Sequence, residues 1–181
     1  IVLGFSEEAA FDDFKARQAA ALAEGRYIGI GIGNYVEGTG LGPFEGATVR
    51  ILSNGRVAIY TGATPAGQAH RTILAQICAD QLGIDVAAVD VVLGDTGVMP
   101  RGAGTFASRI TVNAGSSVQI AAGQVREKIL ALAAAKFGVA ESDLELADGL
   151  VRITGAQGDS ISFAELAKMT SGMPGLSLIH I

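Results

Sequence analysis

The chain has 181 residues, of which 49% are hydrophobic and 17% charged, and its formal net charge is −5. This composition excludes a disordered chain, because burying so much apolar surface offsets the entropy of ordering the backbone, and the negative charge excludes a basic nucleic-acid-binding surface. The single cysteine, Cys78, excludes a disulfide framework, and without a signal peptide or an apolar run of roughly 18 residues we expect a cytoplasmic protein with no membrane span.

A helix and a strand are predicted first. Ser6 is a candidate N-cap for a helix that ends at Gly25. In residues 28–33 isoleucine alternates with glycine, which predicts a strand whose glycine face lies close to another backbone or to a ligand. Residues 37–43 follow as a glycine-rich loop.

A hairpin, a helix and a further strand come next. The Asn54-Gly55 pair is typical of a tight hairpin turn and joins two predicted strands. A glycine loop then leads to a helix whose apolar residues recur at helical spacing and which ends at Gly83. Residues 86–93 form a valine-rich strand.

The remaining elements complete an α+β pattern. A loop over 94–107 leads to a long predicted helix over 108–137, and the Asp-Gly pair at 148–149 predicts a second hairpin. A capping box at 162–165 begins a last short helix. Hairpins combined with single crossovers predict an α+β fold, a mixed sheet with helices packed on it.

Several familiar chemistries are excluded by the residues. Gly62 to Gly67 has the glycine spacing of a P-loop, but Gln68 stands where the lysine is required. Asn34 takes the place of the third glycine in a dinucleotide fingerprint. His70 and Cys78 are about 12 Å apart along a helix, too far for a catalytic pair, so Cys78 is predicted to be a core residue.

Two glycine loops that each lead into a helix are the candidate binding segments. Unpaired amides at a helix N-terminus attract anions, and Gln68 adds a donor and an acceptor in the first loop. In the second loop, Ser108 and Thr111 supply hydroxyls, and the guanidinium of Arg109 suits phosphate. Each loop alone is also explained as an ordinary helix start, with Ser108 as the N-cap; together they favour an elongated anionic ligand.

Four features occur in an order that carries a resemblance. They are the run from Ile30 to Pro43, the hairpin from Val49 to Tyr60, the loop Ala66-Gly67-Gln68-Ala69-His70, and Gly94-Asp95-Thr96 followed by Gly104-Thr105-Phe106-Ala107-Ser108-Arg109. Over residues 27–169 the chain resembles the large, molybdenum-cofactor-binding subunit of the molybdenum hydroxylases. That family includes xanthine dehydrogenase, aldehyde oxidase and aerobic carbon monoxide dehydrogenase, and the chain resembles an interior part of its longer subunit.

The resemblance implies a cofactor, a reaction and partners. Molybdopterin, expected as the cytosine dinucleotide, would hold molybdenum, at which an aldehyde, a purine or an N-heterocycle is hydroxylated or carbon monoxide is oxidised. Electrons would leave through 2Fe-2S clusters to FAD, carried by an iron–sulfur subunit and an FAD subunit. The expected partners are therefore these two subunits and a small-molecule substrate, without nucleic acid.

The resemblance also assigns site residues. The positions that match the family's cofactor contacts are Gly67, Gln68, Ala107, Ser108, Arg109 and Thr111. Weaker matches beside the substrate are Tyr35, Val36 and Glu37. Ala69 departs from the family, because it replaces the second glycine of the commoner Gly-Gln-Gly, and no residue is expected to bind the metal directly.

No catalytic residue is expected among these 181 residues. The family's general base is a glutamate in a Gly-x-Gly-Glu segment, and that segment does not occur here. Glu37, Glu45 and Asp95 match no such motif, so none of them is assigned the role of base.

The predicted organisation has three parts. Residues 1–25 form a leading helix, residues 26–175 a fragment of the molybdopterin-cofactor-binding domain, and residues 176–181 a non-native tail, because their apolar, unpatterned sequence is unlike an ordinary terminus. An ordinary buried C-terminal strand is the alternative for these last six residues. Two alternatives stay open at this point: a non-catalytic anion- or nucleotide-binding α+β module, and a structural interaction domain in which each glycine loop is only a turn.

Overall fold

The computed structural model describes residues 8–31, 33, 35–156, 158–171 and 179–180. Its helices are α1 (Glu8–Ala23), α2 (His70–Leu82), α3 (Gly115–Phe137) and α4 (Phe163–Met169). Its strands are β1 (Ala47–Ile51), β2 (Val57–Thr61), β3 (Val89–Leu93), β4 (Leu144–Ala147), β5 (Leu150–Ile153), β6 (Ser160–Ser162) and β7 (Ile179–His180). The chain divides into two compact units, residues 1–37 and 38–181.

The first unit contains α1 and an irregular segment. The helix ends as predicted, because Gly25 takes a left-handed conformation (φ +74°) and its amide donates to the carbonyl of Leu22 at 3.0 Å. Ser6, the predicted N-cap, lies outside the described residues.

The strand predicted over residues 28–33 is wrong. The described residues of this segment have no regular structure, and a Cβ added at Gly29, Gly31 or Gly33 would meet nothing within 4 Å. Alternation of isoleucine with glycine favours an extended backbone, but a strand also requires a neighbour that satisfies its amides and carbonyls. No such neighbour pairs with the described part of this segment.

The second unit is built on a four-stranded mixed sheet in the order β3-β2-β1-β7. β1 and β2 form the predicted hairpin, with Val49 opposite Ile59, and Gly55 turns between them at φ +84°. β2 and β3 are parallel, with Ile59 opposite Val91, and α2 makes the connection between them. β4, β5 and β6 form a second, antiparallel sheet. The α+β prediction is confirmed.

The core lies where α2 and α3 pack against each other and against the first sheet. Leu74, Cys78 and Leu82 on α2 are fully buried, which confirms the predicted apolar stripe. On α3 the buried side chains recur at the i, i+3, i+4 spacing of one helix face; they are Val118, Ala121, Ala122, Val125, Ile129 and Ala133. This packing fixes the start of both helices relative to the sheet.

The structure confirms three sequence signals: the hairpin turn at 148–149, the end of α3 and the start of α4. Asp148 and Gly149 both have positive φ, 54° and 71°, as a type I′ hairpin turn requires. Gly138 ends α3 in the left-handed conformation. The capping box at α4 is complete: the Ser162 hydroxyl accepts from the amide of Glu165, whose carboxylate accepts from the amide of Ser162.

The predicted divisions at residues 25/26 and 175/176 stay predictions. In the segment expected to be a non-native tail, β7 pairs antiparallel with β1, with His180 opposite Val49. The valine-rich segment 86–93 begins with a 3₁₀ turn, Val86–Ala88, before β3. In this turn the carboxylate of Asp85 accepts from the amide of Ala87 at 2.7 Å.

Candidate cofactor-binding site

The first candidate loop follows the end of β2 and leads into α2. Gly67 has φ +98° and Ala69 has φ +58°, so the chain turns through left-handed conformations immediately before His70. The side-chain oxygen of Gln68 accepts from the amide of Ala66 at 2.6 Å, which ties this side chain to its own loop. No side chain caps the N-terminus of α2.

The second candidate loop corrects the predicted helix start. Ala107 and Ser108 both have φ +48°, a conformation that costs a non-glycine residue roughly 1–2 kcal/mol and cannot continue a right-handed helix. The helical segment therefore begins with a π-helical turn, Ile110–Ala114, followed by α3. Ser108 is not the N-cap, since Arg109 occupies that position and makes no side-chain capping bond.

The two loops line one cleft of about 380 Å³. Its lining residues are Gln68, His70, Ile73, Thr105, Phe106, Ala107, Ser108, Arg109, Ile110 and Thr111. Five of the six predicted cofactor residues are thus brought together, and the sixth, Gly67, precedes Gln68 in the chain. No carboxylate belongs to this described lining, which suits an anionic ligand.

Tyr35, Val36 and Glu37, the residues predicted beside the substrate, belong to the first unit. Tyr35 and Val36 expose 85% and 100% of their surface, and Glu37 is also exposed. Their proposed place in a substrate funnel stays a prediction.

Arg109 has a different environment from the one expected. Its side chain is fully buried, and its donors bind protein acceptors. Nη1 binds the carboxylate of Glu45 and, at 2.8 Å, the carbonyl of Gly104; Nε donates to the carbonyl of Leu41 at 3.2 Å and Nη2 to that of Pro43. The guanidinium therefore joins residues 41–45 to the second candidate loop. The expected contact of this side chain with a phosphate gains no support from this geometry.

Glu45, which matched no motif in the sequence, has a structural role that was not predicted. Its Oε1 accepts from the amide of Ala103 at 2.9 Å as well as from Arg109, while Oε2 is buried without a hydrogen-bond partner among the described residues. The Ser117 hydroxyl donates to its carbonyl at 2.6 Å. A lone glutamate in a glycine-rich loop carries no periodic signal, so only its pairing with a distant arginine reveals this role.

The first and second candidate loops also touch through their backbones. A Cβ placed on Gly62 would lie 2.2 Å from the carbonyl oxygen of Arg101, and one on Gly102 would lie 2.3 Å from the carbonyl oxygen of Gly62. No side chain fits at either position without moving the chain. Asp95 is engaged nearby, because its carboxylate accepts from the amide of Gly97 at 2.9 Å.

Cys78 lies in the core, as predicted, and burial raises the pKa of its thiol to about 12. The reactive thiolate is then about one molecule in ten thousand at pH 8. We expect no measurable reaction of Cys78 with an aromatic disulfide reagent at pH 8 in the folded chain, and complete reaction in 6 M guanidinium. Rapid labelling of the folded chain would contradict this burial.

Within the described ranges, no three or more His, Cys, Asp or Glu side chains are grouped to hold a metal ion. Of the helices in that part of the chain, none combines the length and apolarity needed to cross a bilayer.

The α+β fold and its two-loop cleft can be compared with known protein families. The sequence profile of the molybdopterin cofactor-binding domain family matches residues 5–178, and the chain belongs to that family. Its family is thus the one that the sequence resemblance implied.

Named relatives agree with this assignment. The chain is 37% identical to the gamma subunit of the 6-hydroxypseudooxynicotine dehydrogenase complex of Paenarthrobacter nicotinovorans, over 89% of this chain and 20% of that protein. It is 31% identical to the carbon monoxide dehydrogenase large chain of Hydrogenophaga pseudoflava, over 92% and 23% respectively. The crystal structure of quinoline 2-oxidoreductase from Pseudomonas putida 86 superposes with a TM-score of 0.68 at 35% identity, covering 94% of this chain and 24% of that one.

The chain therefore spans about a fifth of the length of these curated relatives. It is a molybdopterin-binding domain of the molybdenum hydroxylase type, and its relatives are oxidoreductases.

Proposed function

We propose that this chain binds the pterin dinucleotide of a molybdenum hydroxylase through the cleft between loops 62–69 and 102–109, and that the dinucleotide is that of cytosine. The convergence of these two loops on one cleft carries the proposal. They are distant in sequence, and each loop precedes a helix without a side-chain cap. If each loop were only the start of its own helix, nothing would require the two loops to meet in one cleft.

The residues present fit such a ligand. A Cβ at Gly67 or Gly104 would meet nothing within 4 Å, so a ligand has room to approach the backbone there. The uncapped starts of the two helical segments leave first-turn amides to bind an anion, whereas α4 satisfies its own start with the Ser162–Glu165 capping box. A cleft of about 380 Å³ is at the small end of ligand sites, so it suits one part of an elongated cofactor.

Roles follow for the individual residues. We assign the amide side chain of Gln68, the segment Ala107-Ser108 and Thr111, which is exposed in the π-helical turn, to direct contact with the cofactor. Arg109 holds the second loop in place by binding the carboxylate of Glu45. When bound, the cofactor supplies a redox-active molybdenum at which carbon is oxidised.

The complete protein is proposed to oxidise a small molecule, namely an aldehyde, a purine, an N-heterocycle or carbon monoxide. Support comes from the names of its relatives, which include a subunit of a 6-hydroxypseudooxynicotine dehydrogenase complex, a quinoline 2-oxidoreductase and a carbon monoxide dehydrogenase large chain. We further propose 2Fe-2S and FAD subunits as electron-accepting partners, because one relative is the gamma subunit of a complex and another a large chain. A cytoplasmic location is proposed with them, and the catalytic base is placed outside these residues.

Replacing Gln68 or Ser108 by alanine tests the cofactor assignment. A hydrogen bond to a charged group is worth about 1.5–3 kcal/mol, so each variant of the complete subunit should retain less molybdenum and less pterin after gel filtration. Matched controls are Gln76→Ala, an exposed glutamine on α2, and Ser142→Ala, an exposed serine in the 3₁₀ turn before β4. Wild-type cofactor content in both test variants would show that these side chains do not bind it.

A further inference from the structure

Two hydrogen bonds at the wall of the cleft join the two loops. The hydroxyl oxygen of Thr105 lies 2.5 Å from the carbonyl oxygen of Thr64 and 3.0 Å from Nε2 of His70. Thr105 belongs to the second loop, Thr64 to the first, and His70 is the first residue of α2. His70 is 5% exposed, so its imidazole is shielded from bulk water, whereas the bond between Thr105 and Thr64 is open to solvent.

The position of the protons in these two hydrogen bonds follows from the chemistry of the imidazole, the hydroxyl and the carbonyl. A carbonyl oxygen only accepts, so at 2.5 Å the single hydroxyl proton of Thr105 must be directed at Thr64. The hydroxyl then has only lone pairs left for the imidazole, and Nε2 of His70 must be the donor. A neutral ring with its proton on Nδ1 alone would place two lone pairs against each other at 3.0 Å.

We infer that His70 is a positioning residue for the cofactor site, acting as an Nε2–H donor that fixes Thr105 and through it the separation of the two loops. The inference rests on the proposed function, because it concerns the walls of the same cleft. His70 also begins α2, so the bond fixes the first-turn amides of that helix relative to the second loop. His70 therefore acts on the site through Thr105 and not through a contact with the ligand.

The neighbouring residues explain why the tie is needed. The second loop carries two consecutive left-handed residues, Ala107 and Ser108, a strained arrangement that persists only where surrounding contacts determine it. Arg109 fixes the loop on the side of Glu45. The Thr105–His70 bond is the corresponding fixed point on the side of the first loop, and both residues line the cleft.

Two pairs of substitutions test the inference in the complete subunit. Glutamine has a side-chain nitrogen near the place of Nε2, whereas asparagine mimics only Nδ1, so H70Q should preserve the donor and H70N should lose it. Serine preserves the hydroxyl of residue 105 and valine removes it. We expect H70N and T105V to lose bound molybdenum and pterin about five- to tenfold faster on dilution, and H70Q and T105S to stay within about twofold of wild type.

The conservative variants separate positioning from simple stability. Thermal unfolding of all four variants identifies any that fail to fold, and rescue by H70Q and T105S is the result that a general packing defect would not give. If wild type retains cofactor and H70N and T105V retain it equally well, His70 does not position the site. If wild-type subunit holds neither molybdenum nor pterin, the proposed function fails instead.

The tautomer gives a readout that is independent of the cofactor. The chain has two histidines, His70 and His180, so long-range ¹H–¹⁵N spectra of the ¹⁵N-histidine-labelled chain contain two ring systems, and an H180Q variant assigns them. We expect a proton on Nε2 of His70. A ring protonated only on Nδ1 would overturn the inference even if the variants lost cofactor.

Discussion

Replacing Arg109 by methionine is expected to lower the free energy of unfolding by about 3–5 kcal/mol, because it leaves the carboxylate of Glu45 buried without its counter-charge. The carbonyls of Leu41, Pro43 and Gly104 lose donors at the same time. Urea-induced unfolding of the chain, followed by circular dichroism, measures the change.

An exposed ion pair provides the matched control. Arg56 and Asp90 are 2.6 Å apart with side chains 40% and 50% exposed, and Arg56 holds the pKa of the Asp90 carboxyl below its usual range through a side-chain hydrogen bond. Arg56→Met should leave the unfolding midpoint almost unchanged, because solvent screens such pairs. Adding Glu45→Leu to the Arg109 variant should recover part of the loss. Equal effects of the two arginine substitutions would contradict a special role for the buried pair.

Gly62→Ala is the second substitution with a large expected effect. The new methyl group would lie 2.2 Å from the carbonyl oxygen of Arg101 and 2.4 Å from the Cα of Gly102, and backbone cannot yield as a flexible side chain does. We expect a loss of about 3 kcal/mol or more in the free energy of unfolding, beyond the usual cost of overpacking. The cleft should be distorted as well, so cofactor content of the complete subunit should fall.

A glycine in open space supplies the control for this variant. Gly123 lies inside α3, and a Cβ there would meet only the side-chain oxygen of Gln81, at 3.9 Å. Gly123→Ala should therefore stabilise the chain by about 0.5–1 kcal/mol, because alanine loses less conformational entropy in a helix. A similar loss of stability in both variants would show that the contact between Gly62 and Gly102 is not the cause.

Local signals predicted those parts of the fold that neighbouring residues determine. The Asp148-Gly149 turn and the Ser162–Glu165 capping box each involve atoms a few residues apart, and both occur as expected. The segment 28–33 shows where this reasoning fails. Its alternating pattern describes one chain alone, whereas a strand depends on a partner that the sequence of the segment does not specify.

The candidate site was predictable in position but not in every role. Glycine loops before helices marked both walls of the cleft, since that arrangement is readable in the sequence itself. The environment of Arg109 could not be predicted from the sequence, because its partner Glu45 is 64 residues away. The left-handed backbone of Ser108 likewise depends on the surrounding contacts, as serine has no general preference for it.

The π-helical turn at the start of α3 constrains how the length of this chain can vary. The amide of Gly115 donates to the carbonyl of Ile110, five residues back, so the turn holds one residue more than an α-helical turn. Deleting one residue there would leave an ordinary α-helical turn and keep Ile110 over the same face of α3, whereas inserting a further residue would rotate the loop against that face by about 100°. Between Ile110 and Ala114, where the cleft fixes one end and the core the other, a single deletion should therefore disturb the chain less than a single insertion.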